Sequence, residues 1–204
     1  MLELYTFQTS NGQRAAIMLE ECGLTYRVHR VNLAQGEQRA PAFLALNPAG
    51  MIPVLVDPEG PGGSPLTVAQ SGAILLHLAA KTGRFLPADA RARSEALQWL
   101  FFAVSDCGPA STAIYYSSAR LPDKSEANVR FLEERLLGLL RVLDARLAGR
   151  EWLAGDYSVA DIAVFPIANL RRVMIAEAGL ANLLRWVEAI GARAAVQRGL
   201  AAAG

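Results

Sequence analysis

The first eighty residues alternate between short apolar runs and polar turns, which predicts a mixed domain of strands and helices. The predicted strands are short and rich in β-branched or aromatic residues, and they span residues 2–7, 26–32, 52–56 and 66–68. The predicted helices span residues 13–22, 41–46 and 71–81. Turn-forming residues at 57–65 make the last two strands a hairpin. The predicted order is therefore β-α-β-α-β-β-α.

The second half of the chain carries apolar residues at helical spacing and predicts no strand. The predicted helices span residues 90–104, 128–147 and 180–190, with a further one beginning at Ser158. Asp161 lies three residues after Ser158, the spacing of a capping box, and Pro166 is predicted to kink or interrupt this helix. The alanine-rich tail at residues 199–204 is predicted to fray.

The change in pattern falls at residues 82–89, where Gly83 and Pro87 suit a short linker. We therefore predict an α/β domain at residues 1–81 and an all-helical domain at residues 90–204.

Composition and charge narrow the possible functions. The 204 residues are 52% hydrophobic and 19% charged with a net charge of +1, and no run of Lys or Arg indicates nucleic-acid binding. No segment has the pattern of a signal peptide or is long and apolar enough to span a bilayer, so no membrane partner is predicted. Cys22 and Cys107 are far apart with no Cys/His cluster, which predicts no metal site, no disulfide framework and a cytoplasmic location.

The first candidate site is Thr9-Ser10-Asn11-Gly12, between the first strand and the first helix. A helix N-terminus has unpaired N–H groups that stabilise an anion, and a hydroxyl or amide there can donate a further hydrogen bond. A thiol bound at this point would have a lowered pKa. The alternative is that Ser10 or Asn11 only caps the helix.

Two further candidates lie later in the first domain. Pro53 opens a strand, and a cis Ile52–Pro53 bond would turn the Ile52 backbone toward an extended peptide ligand; an ordinary trans proline is the alternative. Gln70 and Ser71 begin the helix after the hairpin, where they either hold a ligand carboxylate or, for Ser71, only cap the helix. His77 is interpreted as a structural residue, and Cys107, beside Gly108 and Pro109, as a residue that could line a pocket rather than a catalytic one.

Several ordered segments resemble successive blocks of the glutathione transferase family, closest to the bacterial Nu-class enzymes and disulfide-bond oxidoreductases. They are TSNGQRAAIMLEECGLTY, GEQRAPAFLALNPAGMIPVLVD, QSGAILLHLAAKTGRFLP, LQWLFF and WLAGDYSVADIAVFP. The resemblance implies a thioredoxin-like N-terminal domain, an all-helical C-terminal domain and a homodimer. It also implies glutathione as co-substrate and a small electrophile or disulfide as the second substrate.

The resemblance implies a role for each matching residue. Thr9 and Asn11 would contact the glutathione sulfur, with Ser10 as the reserve candidate. The glycyl, cysteinyl and γ-glutamyl parts of glutathione would be bound by Gln38, by Ile52 before Pro53, and by Gln70 with Ser71.

The sequence departs from the family pattern at three places. Gln70 stands where a glutamate is usual, which replaces a charged partner of the γ-glutamyl ammonium by a neutral one. A Gly-rich stretch of Nu-class relatives is replaced by Val104-Ser105-Asp106-Cys107, which affects the second-substrate pocket. An Arg-aromatic pair of the relatives matches Arg130-Phe131 only after a one-residue slip, so its role is not carried over.

Two activities are compatible with this pattern: transfer of glutathione to an electrophile, and disulfide reduction by glutathione sulfurs. Thr9-Ser10-Asn11-Gly12 occupies the position of a thioredoxin CxxC motif, so the chain has no redox pair of its own there. Nu-class relatives favour disulfide reduction, and we predict it as the stronger activity. The alternative is a non-catalytic regulatory or scaffolding protein on the same fold.

Overall fold

The computed structural model describes all 204 residues, which form two compact units. Residues 1–86 and 192–204 form the first unit, and residues 87–191 form the second. The division after Leu86 lies within the predicted linker at 82–89. The last thirteen residues belong to the first unit, although the predicted domain of residues 90–204 included them.

The first unit contains a four-stranded sheet with the order β2-β1-β3-β4. Its strands are β1 (Leu2–Thr6), β2 (Tyr26–Arg30), β3 (Val54–Asp57) and β4 (Leu66–Ala69). β1 pairs with β2 in parallel and with β3 antiparallel, and β3 and β4 form the predicted hairpin. The helices are α1 (Ser10–Cys22), α2 (Pro41–Leu46) and α3 (Ser71–Thr82). The predicted order of these elements is confirmed.

α1 is the central helix of this unit. Its residues 15–19 are fully buried, because one face packs on the sheet and α3 while another is covered by the C-terminal helix α10 (Ala194–Ala203). Burial on several sides holds α1 in place within the unit, and the candidate site lies at the N-terminal end of this helix.

The prediction that the C-terminal tail frays is wrong. α10 lies against α1 so closely that a Cβ on Gly199 would be 2.6 Å from the Ile17 Cα. Arg193 forms a two-bond ion pair with Glu21, with distances of 2.6 and 2.9 Å, and both residues belong to the first unit. Close backbone packing and a partly buried ion pair therefore order a segment whose composition is typical of a loose end.

We expect Gly199→Ala to lower the free energy of unfolding by about 1–3 kcal/mol, because the new methyl group must push two backbones apart. Gly138→Ala is the matched control. Gly138 lies inside a helix, is exposed and has no atom within 4 Å of an added Cβ, so its replacement should stabilise the protein by about 0.5–1 kcal/mol. Urea unfolding followed by circular dichroism measures both. Equal changes in the free energy of unfolding, with the same sign in both variants, would contradict the close approach of α10 to α1.

The second unit is all-helical. Its helices are α4 (Ala90–Phe101), α5 (Gly108–Tyr115), α6 (Glu126–Arg146), α7 (Val159–Leu170), α8 (Arg172–Glu177) and α9 (Ala181–Gly191). The chain passes from α4 to α5 through a π-helical segment, Phe102–Cys107, and a second π-helical segment, Tyr116–Arg120, follows α5. No helix of the protein is both long enough and apolar enough to cross a lipid bilayer.

α7 is the buried centre of this unit and begins with the predicted capping box. The Asp161 carboxylate accepts from the Ser158 N–H, while the Ser158 hydroxyl caps the first turn. Asp161 also accepts from the Leu153 N–H and from the Trp186 indole N–H. The helix does not end at Pro166, which is buried within it, so the predicted interruption is absent.

Candidate functional site

The start of α1 is positioned by its contact with the end of β1. A Cβ on Gly12 would overlap the Phe7 carbonyl oxygen and the Thr6 hydroxyl, so only glycine lets the first turn lie this close to the strand. Thr9 caps the helix: its hydroxyl oxygen accepts from the Gly12 N–H at 3.0 Å. Since that bond uses only a lone pair, the Thr9 O–H remains able to donate.

The cap is therefore Thr9, and the alternative in which Ser10 or Asn11 caps the helix is wrong. Ser10 is the first helical residue and is half-buried, while Asn11 is exposed. The three residues place two hydroxyls and one amide within a single turn. A turn of this kind can hold an anion by side-chain donors together with the unpaired N–H groups of the helix.

A buried arginine joins the start of α1 to the start of α3. Arg14 Nη1 donates to Asn11 Oδ1 at 2.6 Å and to Ser71 Oγ at 3.2 Å. Ser71 Oγ also lies 3.4 Å from Asn11 Oδ1. The structure thus brings together Asn11 and Ser71, two predicted site residues that are sixty positions apart. The sequence interpretation missed Arg14, and its only sequence signal was a charged residue on an otherwise apolar helix face.

The start of α3 has features of an anion site. No side chain caps it, and the first bond of its ladder runs from the Ile74 N–H to the Gln70 carbonyl. Gln70 is exposed and has φ 74°, a left-handed conformation that is unfavourable for glutamine. A non-glycine residue held in this conformation is a frequent feature of ligand sites. The uncapped N–H groups favour a carboxylate at this end.

The Ile52–Pro53 peptide bond is cis, as the sequence interpretation proposed. Ile52 lies between the turn after α2 and β3, and it is half-buried. Neither its N–H nor its C=O forms a hydrogen bond within the chain. Partly buried backbone groups are nearly always paired, so this segment is suited to pairing with an extended peptide.

Gln38 lies in a short 3₁₀ turn, Glu37–Arg39, next to the loop that leads to Ile52. Its carbonyl oxygen would be 3.1 Å from a Cβ on Gly50. The side-chain Oε1 of Gln38 is buried without a hydrogen-bond partner, which is costly unless a ligand supplies a donor. No hydrogen bond joins Gln38 to the group formed by Asn11, Arg14 and Ser71.

Neither cysteine is placed to act as a nucleophile. Neither Cys22 nor Cys107 forms a disulfide, and both are buried. Burial raises the pKa of the Cys22 thiol, more than its hydrogen bond to Thr82 and the nearby Arg84 lower it. No group of three or more His, Cys, Asp or Glu side chains lies together as a metal site would require.

His77 has a structural partner, in agreement with its sequence interpretation. Its Nε2 lies 2.8 Å from the carboxylate of buried Asp57, which also binds Lys81 at 3.0 Å. Burial raises the pKa of Asp57, but hydrogen bonds from Lys81, His77 and the Glu59 N–H outweigh it and hold the pKa below its usual range. This cluster fixes the end of β3 to α3.

Both halves of the chain match family models of known domains. The model of the glutathione S-transferase N-terminal domain matches residues 10–81, and the model of the glutathione S-transferase C-terminal domain matches residues 94–194. The disulfide-bond oxidoreductase YfcG of Escherichia coli K12 is 38% identical over 203 residues, which are 98% of this chain and 94% of that protein. The disulfide-bond oxidoreductase YghU of the same organism is 34% identical, over 97% of this chain and 73% of that protein.

Solved structures share the whole fold. A glutathione transferase from Pseudomonas putida, with one glutathione disulfide bound per subunit, superposes with a TM-score of 0.92 at 36% identity; the match covers 98% of this chain and 90% of that one. A glutathione transferase from Burkholderia graminis, with two glutathione molecules bound per subunit, superposes with a TM-score of 0.92 at 40% identity. The match covers 98% of this chain and 87% of that one. The predicted thioredoxin-like domain followed by an all-helical domain is confirmed.

Proposed function

The chain belongs to the glutathione transferase family, and from this premise we propose that it is a glutathione-dependent enzyme whose stronger activity is disulfide reduction. The observation that carries the proposal is the joining of two helix N-termini, those of α1 and α3, by Arg14 through Asn11 and Ser71. Two such termini offer one tripeptide both a donor-rich place for an anionic sulfur and a place for a carboxylate.

In this proposal the glutathione sulfur lies at the start of α1. The Thr9 hydroxyl and the Asn11 amide donate to it, with Ser10 as the reserve candidate. Thr9 supports this role because its oxygen already accepts from Gly12, so its proton is directed elsewhere. Donors aimed at the sulfur favour the thiolate over the thiol, and the thiolate is the nucleophile.

The rest of the tripeptide extends along the unpaired groups of the first unit. The γ-glutamyl carboxylate binds the uncapped start of α3 at Ser71, beside Gln70. The cysteinyl unit pairs with the free backbone of Ile52 before Pro53. Gln38 binds the glycyl unit: its buried Oε1, which has no partner in the chain, accepts from the glycyl N–H, and its NH₂ group donates to the carboxylate.

The proposed reaction consumes two glutathione molecules. The bound thiolate attacks one sulfur of the substrate disulfide, forming a mixed disulfide and releasing the other sulfur as a thiolate that takes up a proton. A second glutathione thiolate attacks the glutathione sulfur of the mixed disulfide, forming glutathione disulfide and releasing the second thiol after protonation. The protein supplies orientation and sulfur stabilisation, and no protein cysteine changes its redox state.

Two findings favour disulfide reduction over transfer. YfcG and YghU are both named disulfide-bond oxidoreductases. The structural neighbours hold glutathione disulfide or two glutathione molecules per subunit, which are the product and the reactants of the proposed exchange. The chain's own thiols are buried, so either activity uses the glutathione sulfurs. Transfer needs only the first step, in which the same thiolate attacks an electrophilic carbon, so we propose it as a secondary activity.

Retention on immobilised glutathione, followed by calorimetry with glutathione and glutathione disulfide, tests this proposal. We expect binding of both, and turnover of hydroxyethyl disulfide faster than that of chlorodinitrobenzene. A protein that binds neither tripeptide at millimolar concentration would instead support the non-catalytic regulatory alternative. Binding without turnover of either substrate would also contradict the enzymatic proposal.

The cellular setting is part of the proposal. Two buried cysteines that form no disulfide fit a reducing cytoplasm, where disulfides are rare. The family resemblance favours a homodimer, and light scattering coupled to gel filtration would measure the mass. We propose residues 1–81 as the glutathione-binding domain, 82–89 as the linker and 90–204 as the helical domain, whose last helix, α10, belongs to the first compact unit.

We expect Gln70→Glu to tighten glutathione binding by about 1 kcal/mol, because a carboxylate at this position adds a charged acceptor for the γ-glutamyl ammonium. Gln98→Glu is the matched control, since it makes the same charge change at an exposed position of α4 in the second unit. Calorimetry measures both variants. Weaker binding by Gln70→Glu, or an equal gain in Gln98→Glu, would contradict the placement of the γ-glutamyl group.

A further inference from the structure

Arg14 is the feature of the first unit that the proposed roles do not yet use. Arg14 is only 1% exposed, although its side chain carries a charged guanidinium and lies in the first turns of α1. Burying a charged group is costly unless hydrogen bonds compensate, so such a residue is retained where its bonds matter. Two of those bonds end on Asn11 and Ser71, which lie at the two ends of the proposed glutathione site.

The chemistry of the guanidinium fixes the orientation of its partners. All its polar hydrogens are donors and it has no acceptor, so the atom of Asn11 that faces it must be the carbonyl oxygen. The short distance of 2.6 Å from Nη1 to Oδ1 is that of a charge-assisted bond. The Ser71 hydroxyl lies 3.4 Å from the same oxygen and also presents a donor to it. Both neighbours therefore hold Oδ1 on the inner side.

With Oδ1 held inward, the Asn11 amide nitrogen is directed away from Arg14, on the exposed side of the residue. That nitrogen carries two donors, whereas the oxygen would present lone pairs. An asparagine free to flip would spend part of its time with its oxygen toward the sulfur, which repels a thiolate. The orientation of this one amide therefore decides whether it favours or opposes ionisation of the bound thiol.

We infer that Arg14 is a positioning residue that holds the Asn11 amide with its donors toward the glutathione sulfur. This inference rests on the proposed function. Arg14 does not touch the sulfur and acts through Asn11, while its bond to Ser71 keeps the starts of α1 and α3 in register. Loss of Arg14 should therefore change the ionisation of bound glutathione, which a purely structural role would leave unaltered.

The test measures the ultraviolet absorbance of the thiolate of bound glutathione as a function of pH. In Arg14→Met we expect the midpoint to rise by about one pH unit, equivalent to a tenfold loss of thiolate below the midpoint. Arg27→Met is the matched control, because it removes an arginine from an exposed position of β2 in the same unit and should leave the midpoint unchanged. Arg14→Lys keeps a donor-only group and should recover part of the shift.

A double-mutant cycle decides whether the effect passes through Asn11. If Arg14 acts by orienting the amide, adding Arg14→Met to Asn11→Ala should move the midpoint by less than about 0.3 pH units further. A full additional shift, or an unchanged midpoint in Arg14→Met, would overturn the inference. Should Arg14→Met fail to fold, Arg14→Gln decides instead, because its side chain carries an acceptor as well as donors, and a midpoint equal to that of the wild type would overturn the inference. Absence of any bound thiolate in the wild-type protein would count against the proposed function itself.

Discussion

Asp161→Ala is expected to lower the free energy of unfolding by about 3–5 kcal/mol, the largest loss we predict for a single substitution. The fully buried carboxylate accepts from the Leu153 N–H at 3.0 Å, the Ser158 N–H at 3.0 Å and the Trp186 indole at 2.9 Å. Alanine leaves these three donors buried without an acceptor. Each such donor costs about 1–3 kcal/mol, and partial relaxation keeps the total below the sum.

Tryptophan fluorescence is a suitable measure of this loss. The three tryptophans, Trp99, Trp152 and Trp186, all lie in the second unit, so their emission reports the unfolding of that unit in urea. The free energy of unfolding of Asp161→Asn should lie between those of the wild type and of Asp161→Ala. The asparagine amide oxygen replaces one carboxylate oxygen, while its NH₂ group opposes the other donors. Asp123→Ala, at an exposed position, should change stability by less than about 0.5 kcal/mol.

The same carboxylate illustrates which contacts a sequence can reveal. The pairing of Ser158 with Asp161 spans three residues and follows a local rule, so it was predicted and is confirmed. The bond from Trp186 joins residues twenty-five positions apart and depends on how α9 packs against α7. No local pattern carries that information. Because the carboxyl group is fully removed from water, burial raises the pKa of Asp161 despite these donors.

The C-terminal helix shows a second limit of prediction from sequence. Its alanine-rich sequence has little apolar bulk, and the prediction of a frayed end followed from composition. Val196, Gly199 and Ala203 are nevertheless buried and lie on one helical face. This face is made of small residues, and its stabilisation comes from close approach to α1 rather than from large side chains. The spacing was present in the sequence, but its partner surface was not.

The candidate site could also be predicted from the sequence only in part. The resemblance to a family supplied the residues Thr9, Asn11 and Ser71, because blocks of sequence in a fixed order carry more information than single motifs. It did not supply Arg14, whose importance depends on the distance between two helix starts. Local rules also placed the cap one or two residues too late, since Thr9 and not Ser10 or Asn11 accepts from the helix.

Asn11→Ala is expected to lower turnover of hydroxyethyl disulfide at neutral pH by about 10- to 100-fold. Removing one preorganised donor from an oxyanion site costs about 100- to 1000-fold. A thiolate is larger and accepts weaker hydrogen bonds than an alkoxide, which places the expected loss at or below the lower end of that range. The fold should remain, because Asn11 is exposed, Thr9 still caps α1 and Arg14 keeps its bond to Ser71.

The pH dependence separates a role at the sulfur from a general loss of structure. A free thiol ionises with a pKa of about 8.5, so above that pH the thiolate forms without help and the deficit of Asn11→Ala should narrow. Asn128→Ala is the matched control, an exposed asparagine in the first turn of α6, and it should keep wild-type turnover at every pH. A deficit that stays constant up to high pH would mean that Asn11 orients the substrate and does not favour the thiolate. Stabilisation of the thiolate would then come from Thr9, the unpaired N–H groups of α1 and the reserve candidate Ser10.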